Sequence, residues 1–171
     1  YHIIGIVRDP RHPQGFGSVI NDFTENVDVM PTICEAIGEP VPLQCDGLPL
    51  TYFLRGERPP LWRTAAHYEW DWRDWFIEIG EHPWPWDRRL ERQNLAVLRS
   101  DDHAYVQMGD GDWLCFDLEA DPTWGTRTTE PAVVLPLAQQ MLVWRQQHLD
   151  RQFTGMLLRR GGIGRWPDPT T

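Results

Sequence analysis

Residues Asn26 to Gly47, NVDVMPTICEAIGEPVPLQCDG, decide the reading of this chain, because they spell a helix with both ends marked. Asp28 is placed to cap the start, its carboxylate accepting from first-turn N–H groups that have no partner of their own. Pro31 suits that first turn, where its missing N–H would be unpaired in any case. Ile33, Cys34 and Ile37 recur at helical spacing as an apolar stripe. Gly38 stands where the helix ends in a left-handed residue, and Pro40 and Pro42 stop it restarting.

Working outward, His2 to Arg8 (HIIGIVR) is apolar and β-branched and reads as a buried strand. With nothing upstream to pair with, it needs another sheet or leaves an exposed edge. Asp9 to Gly17 is a loop punctuated by Pro and Gly. Beyond Gly47, Leu48 to Leu54 reads as one or two helical turns with Leu50, Phe53 and Leu54 inward, and Gly56 to Pro60 is a linker. Four extended segments come next: Thr64 to Trp70, Leu95 to Arg99, His103 to Met108 and Trp113 to Leu118. They are joined in part by turns at Ser100 to Asp102 and Gly109 to Asp112. In the third, Ala104, Val106 and Met108 alternate with His103, Tyr105 and Gln107, which predicts one packed face and one wetter face. Asp71 to Gln93 is a long excursion rich in Trp and charge, and excursions of that length are usually functional or interface-forming. A helix over Ala132 to Phe153 carries an apolar stripe of Leu135, Leu137, Met141, Leu142, Trp144, Leu149 and Phe153. Leu157 to Thr171 is a frayed end or an arm that packs on another subunit.

The fold class is therefore α+β: a small antiparallel sheet of about four strands packed against a long C-terminal helix, preceded by a strand and a helix. Three parts are expected: residues 1–60 (strand, helix, linker), 61–155 (sheet and long helix) and 156–171 (tail or oligomerisation arm).

At 171 residues the chain is long enough for a real core. Its net charge of −9 argues against nucleic acid, since phosphate binding needs clustered Lys and Arg. No apolar run approaches the roughly 18 residues of a membrane span. The count of three cysteines, Cys34, Cys45 and Cys115, is odd and no pair has metal-site spacing, which reads as buried thiols in a cytoplasmic protein. A Cys34–Cys45 bridge would need an oxidising compartment. Of ten tryptophans, Trp62, Trp70, Trp72, Trp75, Trp84 and Trp86 fall close together. Core and subunit interface account for them better than a ligand-stacking face.

The punctuated helix also carries a resemblance. Val27, Asp28, Met30, Pro31, Thr32, Ile33, Gly38, Asp46, Gly47 and Leu50 are similar to a segment of sulfatases and phosphonate monoester hydrolases in the alkaline phosphatase superfamily. Trp62 to Arg73 and the run Phe116-Asp117-Leu118-Glu119-Ala120-Asp121-Pro122 resemble two later segments of the same proteins, in the same order. The resemblance implies that the strand and helix at the start belong to the end of a larger α/β catalytic domain. It implies a C-terminal subdomain for residues 61–155, and so a fragment of a longer hydrolase. It also implies, for the full-length family, a divalent metal ion (Ca, Mn or similar) and a formylglycine nucleophile made from a Cys or Ser in a Cys/Ser-x-Pro/Ala-x-Arg motif.

That motif is absent here. Cys34 is followed by Glu-Ala-Ile, Cys45 by Asp-Gly-Leu and Cys115 by Phe-Asp-Leu, and the Asp-His metal pair is missing too. No catalytic residue, metal ligand or cofactor is therefore expected in this chain. Asp101-Asp102-His103 and Asp110-Gly111-Asp112 offer ligand types, but both sit at turns, where Asp supports the backbone. His67, Tyr68, Glu69, Trp70 and Asp71 combine an imidazole, a phenol and two carboxylates at a strand end beside the long excursion. They are the candidate substrate-pocket rim, against which stands a simple cross-strand polar pairing of His67 with Glu69. Arg88, Arg89 and Arg92 could attract an anion, though a solvated face explains them as well.

The function expected is the C-terminal part of a metal-dependent sulfuric-ester or phosphonate/phosphate-ester hydrolase. The part itself is structural: it shapes the substrate pocket and contributes oligomer contacts. Its expected partners are the rest of the catalytic domain and further copies of itself, with no nucleic acid and no membrane. The alternative is a free-standing Trp-rich module that binds carbohydrate or another partner.

Overall fold

The computed structural model describes residues 3–42, 45–71 and 94–150. They fall into two compact units, residues 3–63 with 147–150 and residues 64–146.

The first unit is organised by helix α1, Val29–Ile37, which follows a single 3-10 turn at Asn26–Asp28. Pro31 sits in its first turn, as the sequence predicts. Gly38 closes it with φ 78°, and the N–H groups of Gly38 and Glu39 return to the carbonyls of Glu35 and Cys34. Of the expected stripe only Cys34 is buried; Ile33 and Ile37 are exposed, and the inward face is Pro31, Thr32 and Cys34. A single turn, α2 (Thr51–Leu54), packs near it with Thr51 and Phe53 buried. Leu50 and Leu54, expected to point inward, are only half-buried. The backbone of Gly15 lies so close to the end of α2 that a methyl there would stand 2.2 Å from the Leu54 carbonyl oxygen.

The strand expected at His2 to Arg8 does not form. Ile3 to Arg8 has no regular structure, and Ile3, Ile4, Ile6 and Val7 are exposed. A strand needs a neighbour to take up its backbone hydrogen bonds, and no described segment is paired with this one.

The second unit is a four-stranded antiparallel sheet in the order β1 (Ala66–Asp71), β2 (Asn94–Arg99), β3 (His103–Met108), β4 (Trp113–Asp117). Each strand pairs with the next along the chain. Glu69 stands opposite Ala96, Val97 opposite Val106, and Tyr105 opposite Cys115. Helix α3, Pro131–Asp150, covers one sheet face. Val134, Leu137 and Met141 of α3 pack there on Ala65, Ala96, Leu98, Tyr105 and Cys115. The opposite face carries Val97, Ala104, Val106, Phe116 and Leu118, with Tyr68, Leu95, Leu114 and Trp124 against them. β3 therefore has no wet face. Tyr105 is buried under α3, and its hydroxyl donates to Gln107 Oε1 at 2.7 Å. The inward stripe of α3 also differs from the expected one: Val134 joins it, whereas Leu135 and Leu142 are exposed on the far side. Pro131 opens the helix, where its missing N–H costs nothing, whereas Pro136 lies in the second turn and withholds one i→i−4 bond.

Candidate functional site

Asp28 is the centre of the first unit. Its side chain is wholly inaccessible to solvent. Rather than capping α1, it holds non-helical partners. The Leu48 N–H donates to Oδ1 at 2.8 Å and the Glu25 N–H donates to Oδ2 at 2.7 Å. Arg63 closes the set, donating from Nη2 to Oδ1 at 2.7 Å and from Nη1 to Oδ2. Asp28 makes no side-chain cap to α1 but completes a capping box with Glu25 on the preceding 3-10 turn, and the guanidinium fork is its strongest partner. Glu25 Oε2 lies 3.9 Å from Arg63 Nε, so the arginine serves two carboxylates.

The neighbours of Asp28 continue the network. The Thr32 hydroxyl donates to the Asp28 carbonyl at 2.6 Å and accepts the Leu50 N–H at 2.8 Å. The Thr51 hydroxyl donates to Glu35 Oε2 at 2.5 Å. At Gly47 a methyl would stand 2.0 Å from the Val27 carbonyl oxygen and 2.7 Å from the Asp28 nitrogen, so only glycine lets the chain pass. Trp62 donates from its indole to the Phe23 carbonyl at 2.7 Å, meets Phe53 edge-on at 4.9 Å and lies under the Arg63 guanidinium at 5.0 Å. Two of the three resemblance-bearing segments, Val27 to Leu50 and the start of Trp62 to Arg73, thus meet at one buried ion pair.

The third segment builds a turn after β4. Asp117 Oδ1 accepts the Ala120 N–H at 2.9 Å, and Asp121 accepts the N–H groups of Thr123 (2.8 Å) and Gly125 (2.9 Å) and the Thr123 hydroxyl. These bonds hold the Asp121 carboxyl below its usual range, chiefly through the Thr123 hydroxyl. Phe116 is flanked by the Trp124 ring at 5.4 Å and the Arg127 guanidinium at 5.7 Å.

The five candidate rim residues lie on β1 but not on one face. His67 and Glu69 share the face under α3. The His67 ring stacks flat on Trp144 at 4.8 Å, and Glu69 pairs with Arg145 at 3.3 Å. Tyr68 packs on the opposite face, and Trp70 is 40% exposed. Asp71 ends the strand, paired in register with Asn94. Trp72, Trp75, Trp84, Trp86, Arg88, Arg89 and Arg92, like the 156–171 arm, lie outside the described residues.

Cys34, Cys45 and Cys115 form no disulfide. Burial pushes the Cys115 thiol and the Tyr105 hydroxyl above their ordinary values. Asp101 and Asp102 are exposed at the β2–β3 turn, where the Asp102 carbonyl accepts the Leu118 N–H at 2.8 Å. Asp110 accepts the Asp112 N–H at 3.0 Å, a local turn bond. Among the described residues no three His, Cys, Asp or Glu side chains are grouped to hold a metal ion. A shallow cleft of about 250 Å³ opens among Ser18, Ile20, Asp22, Phe53 and Arg58, crossed by an Arg58–Asp22 pair at 3.2 Å. Among the described residues no helix is long and apolar enough to cross a membrane.

Sequence reasoning missed Arg63 as the partner of Asp28. Its signal was present: an isolated basic residue directly after a tryptophan, within a segment that carries the resemblance.

No protein-family model matches the chain. It is 35% identical over 155 residues to the multifunctional alkaline phosphatase superfamily protein PehA of Trinickia caryophylli, a match covering 87% of this chain and 29% of that protein. The phosphonate monoester hydrolase of Agrobacterium radiobacter shares its fold with a TM-score of 0.75 at 34% identity, over 94% of this chain and 32% of that one. The phosphonate monoester hydrolase of Silicibacter pomeroyi matches with a TM-score of 0.60 at 26% identity, over 89% and 31%. The fold recurs in a 2-O sulfatase. The chain thus spans about a third of the length of the proteins it matches.

Proposed function

We propose that the chain is the C-terminal, structural part of a metal-dependent hydrolase of phosphonate, phosphate or sulfate esters, a reading supported by its similarity to alkaline phosphatase superfamily proteins. The observation that carries this reading is the use made of the resemblance-bearing residues. Asp28, Thr32 and Asp121 hold backbone through their side chains, Arg63 holds the Asp28 carboxylate, and Gly47 gives the Val27 backbone room. Bond breaking then falls to the remainder of the parent protein. There a divalent metal would stabilise charge on the transferred group and activate the nucleophile. Among the described residues no three His, Cys, Asp or Glu side chains come together, so they do not fit such a metal.

Within this reading, His67, Tyr68, Glu69, Trp70 and Asp71 are the candidate rim of the substrate pocket. The partners are the rest of the catalytic domain and further copies of the same protein. Three cysteines held as thiols support a reducing, cytoplasmic setting. Between ester classes, the two solved phosphonate hydrolases favour phosphonate monoesters. The test is a substrate panel on the complete gene product: an aryl phosphonate monoester, an aryl phosphate diester and an aryl sulfate. Turnover of the phosphonate ester, lost on chelation, is the expected result. No hydrolysis of any of the three overturns the reading.

A further inference from the structure

Helix α3 turns an uncharged stripe to solvent. Leu135, Leu142 and Val143 are 66, 68 and 50% exposed, and Ala132, Pro136, Gln139 and Gln146 are exposed beside them. At roughly 100° per residue they span an arc of about 120° centred on Gln139, opposite the buried Val134, Leu137 and Met141. The outer side of a helix packed on a sheet ordinarily carries charge. This stripe has none, in a chain whose net charge is −9. Arg145 lies off it and pairs with Glu69.

The order of residues specifies what covers the stripe, because it is self-complementary about Gln139. A second copy laid antiparallel on this point sets Leu135 against the partner's Val143, Pro136 against the partner's Leu142 and Ala132 against the partner's Gln146. The two Gln139 side chains then meet, and an amide is both donor and acceptor, so each can bond the other. Such self-matching is what a two-fold interface requires, since every contact in it occurs twice. Charge points to the same occupant. Two copies of an acidic chain repel over most of their surface and approach best where it is neutral. The antiparallel arrangement also brings opposite ends of the helix dipoles together and keeps the two Glu130 carboxylates at opposite ends of the seam, whereas a parallel one would place them side by side.

We infer that the outer stripe of α3, Ala132 to Gln146, is a two-fold seam between copies of this protein, antiparallel and centred on Gln139. This rests on the reading that further copies of the protein are its partners, and gives that reading a surface.

The test is site-specific cross-linking of the complete gene product. Gln139→Cys, oxidised with copper phenanthroline, should give a disulfide-linked dimer at least about tenfold above the unsubstituted protein, because side chains on the two-fold come within bridging reach. The three native thiols set the background. Asp101→Cys, exposed at the β2–β3 turn, should stay at that background. Adding Leu135→Lys to Gln139→Cys should remove the cross-link, since the charge enters the seam twice. Adding Val143→Glu as well should restore it, because each lysine then faces a glutamate across the two-fold. The glutamate on its own helix is eight residues away, about 12 Å, and cannot substitute. Both positions are exposed, so these variants keep the core intact. No cross-link at position 139, or no rescue by Val143→Glu, overturns the seam. Sedimentation of the same samples separates the failures: an oligomer without the cross-link loses the seam and keeps self-association, and a monomer loses both. Ester turnover bears on the hydrolase reading alone.

Discussion

Asp28 and Arg63, thirty-five residues apart, are joined through both carboxylate oxygens, and no part of the Asp28 side chain reaches water. The pair fixes the loop before α1, the Leu48 backbone and the residue just ahead of the second unit to one point. Removing one partner of a buried pair leaves an uncompensated charge and costs about 3–5 kcal/mol. Arg63→Ala should therefore lower the urea midpoint of the isolated chain by that equivalent. Arg63→Lys should recover only part, because an ammonium cannot repeat the fork. A midpoint unchanged by Arg63→Ala would mean that the ion pair does not hold the unit.

Gly47 tests space rather than charge. A methyl at this position meets the Val27 carbonyl at 2.0 Å, and that neighbour is backbone that cannot swing aside. Overpacking of this kind costs about 1–3 kcal/mol. Gly47→Ala should destabilise the chain and also weaken the Asp28 network, since Leu48 follows directly. Gly5→Ala, where nothing lies within 4 Å, is the control and should unfold like the wild type.

The three thiols should react in a set order with a disulfide reagent at neutral pH. Cys45 is half-buried and should react first. Cys115 is buried in the sheet with its thiol pushed upward, so it should stay unreacted until the chain unfolds. Labelling followed by peptide mass analysis gives the order directly, and early reaction of Cys115 would contradict the packing of α3 on β4.

The Arg11 fork holds the Asp9 carboxyl at about 2, against an ordinary 3.8. Because the folded value is the lower one, the contribution is present above pH 3.8 and is lost as pH falls towards 2. NMR titration of Asp9 should give a midpoint near 2, returning to the ordinary range in Arg11→Gln. Its partner Arg11 is 56% exposed, so the expected gain is in local order and not in global stability.

Much of this architecture is legible in the sequence. Gly38 and Pro31 mark local events, and local rules read them. The four strands and the long C-terminal helix follow from the same rules, with boundaries displaced by a few residues. What escapes is long-range. Arg63 finds Asp28 through the fold, so no spacing rule could turn a helix cap into a buried ion pair. Tyr105 reads as half-wet because a strand does not announce that a helix will cover its second face. Leu135 and Leu142 look as apolar as Leu137, yet only the docking of α3 decides which of them is buried. The strand read at His2 to Arg8 has the right composition and no described neighbour to pair with. In the candidate rim, composition drew His67 to Asp71 together, and strand alternation sent Tyr68 and Trp70 away from His67 and Glu69.

The most direct test of the central claim, that this chain serves chemistry located elsewhere in its parent, is to read the coding DNA immediately upstream of Tyr1. The account predicts a continuous reading frame encoding a Cys- or Ser-x-Pro/Ala-x-Arg motif and an Asp-His pair ahead of residue 2. A start codon directly before Tyr1 would contradict it.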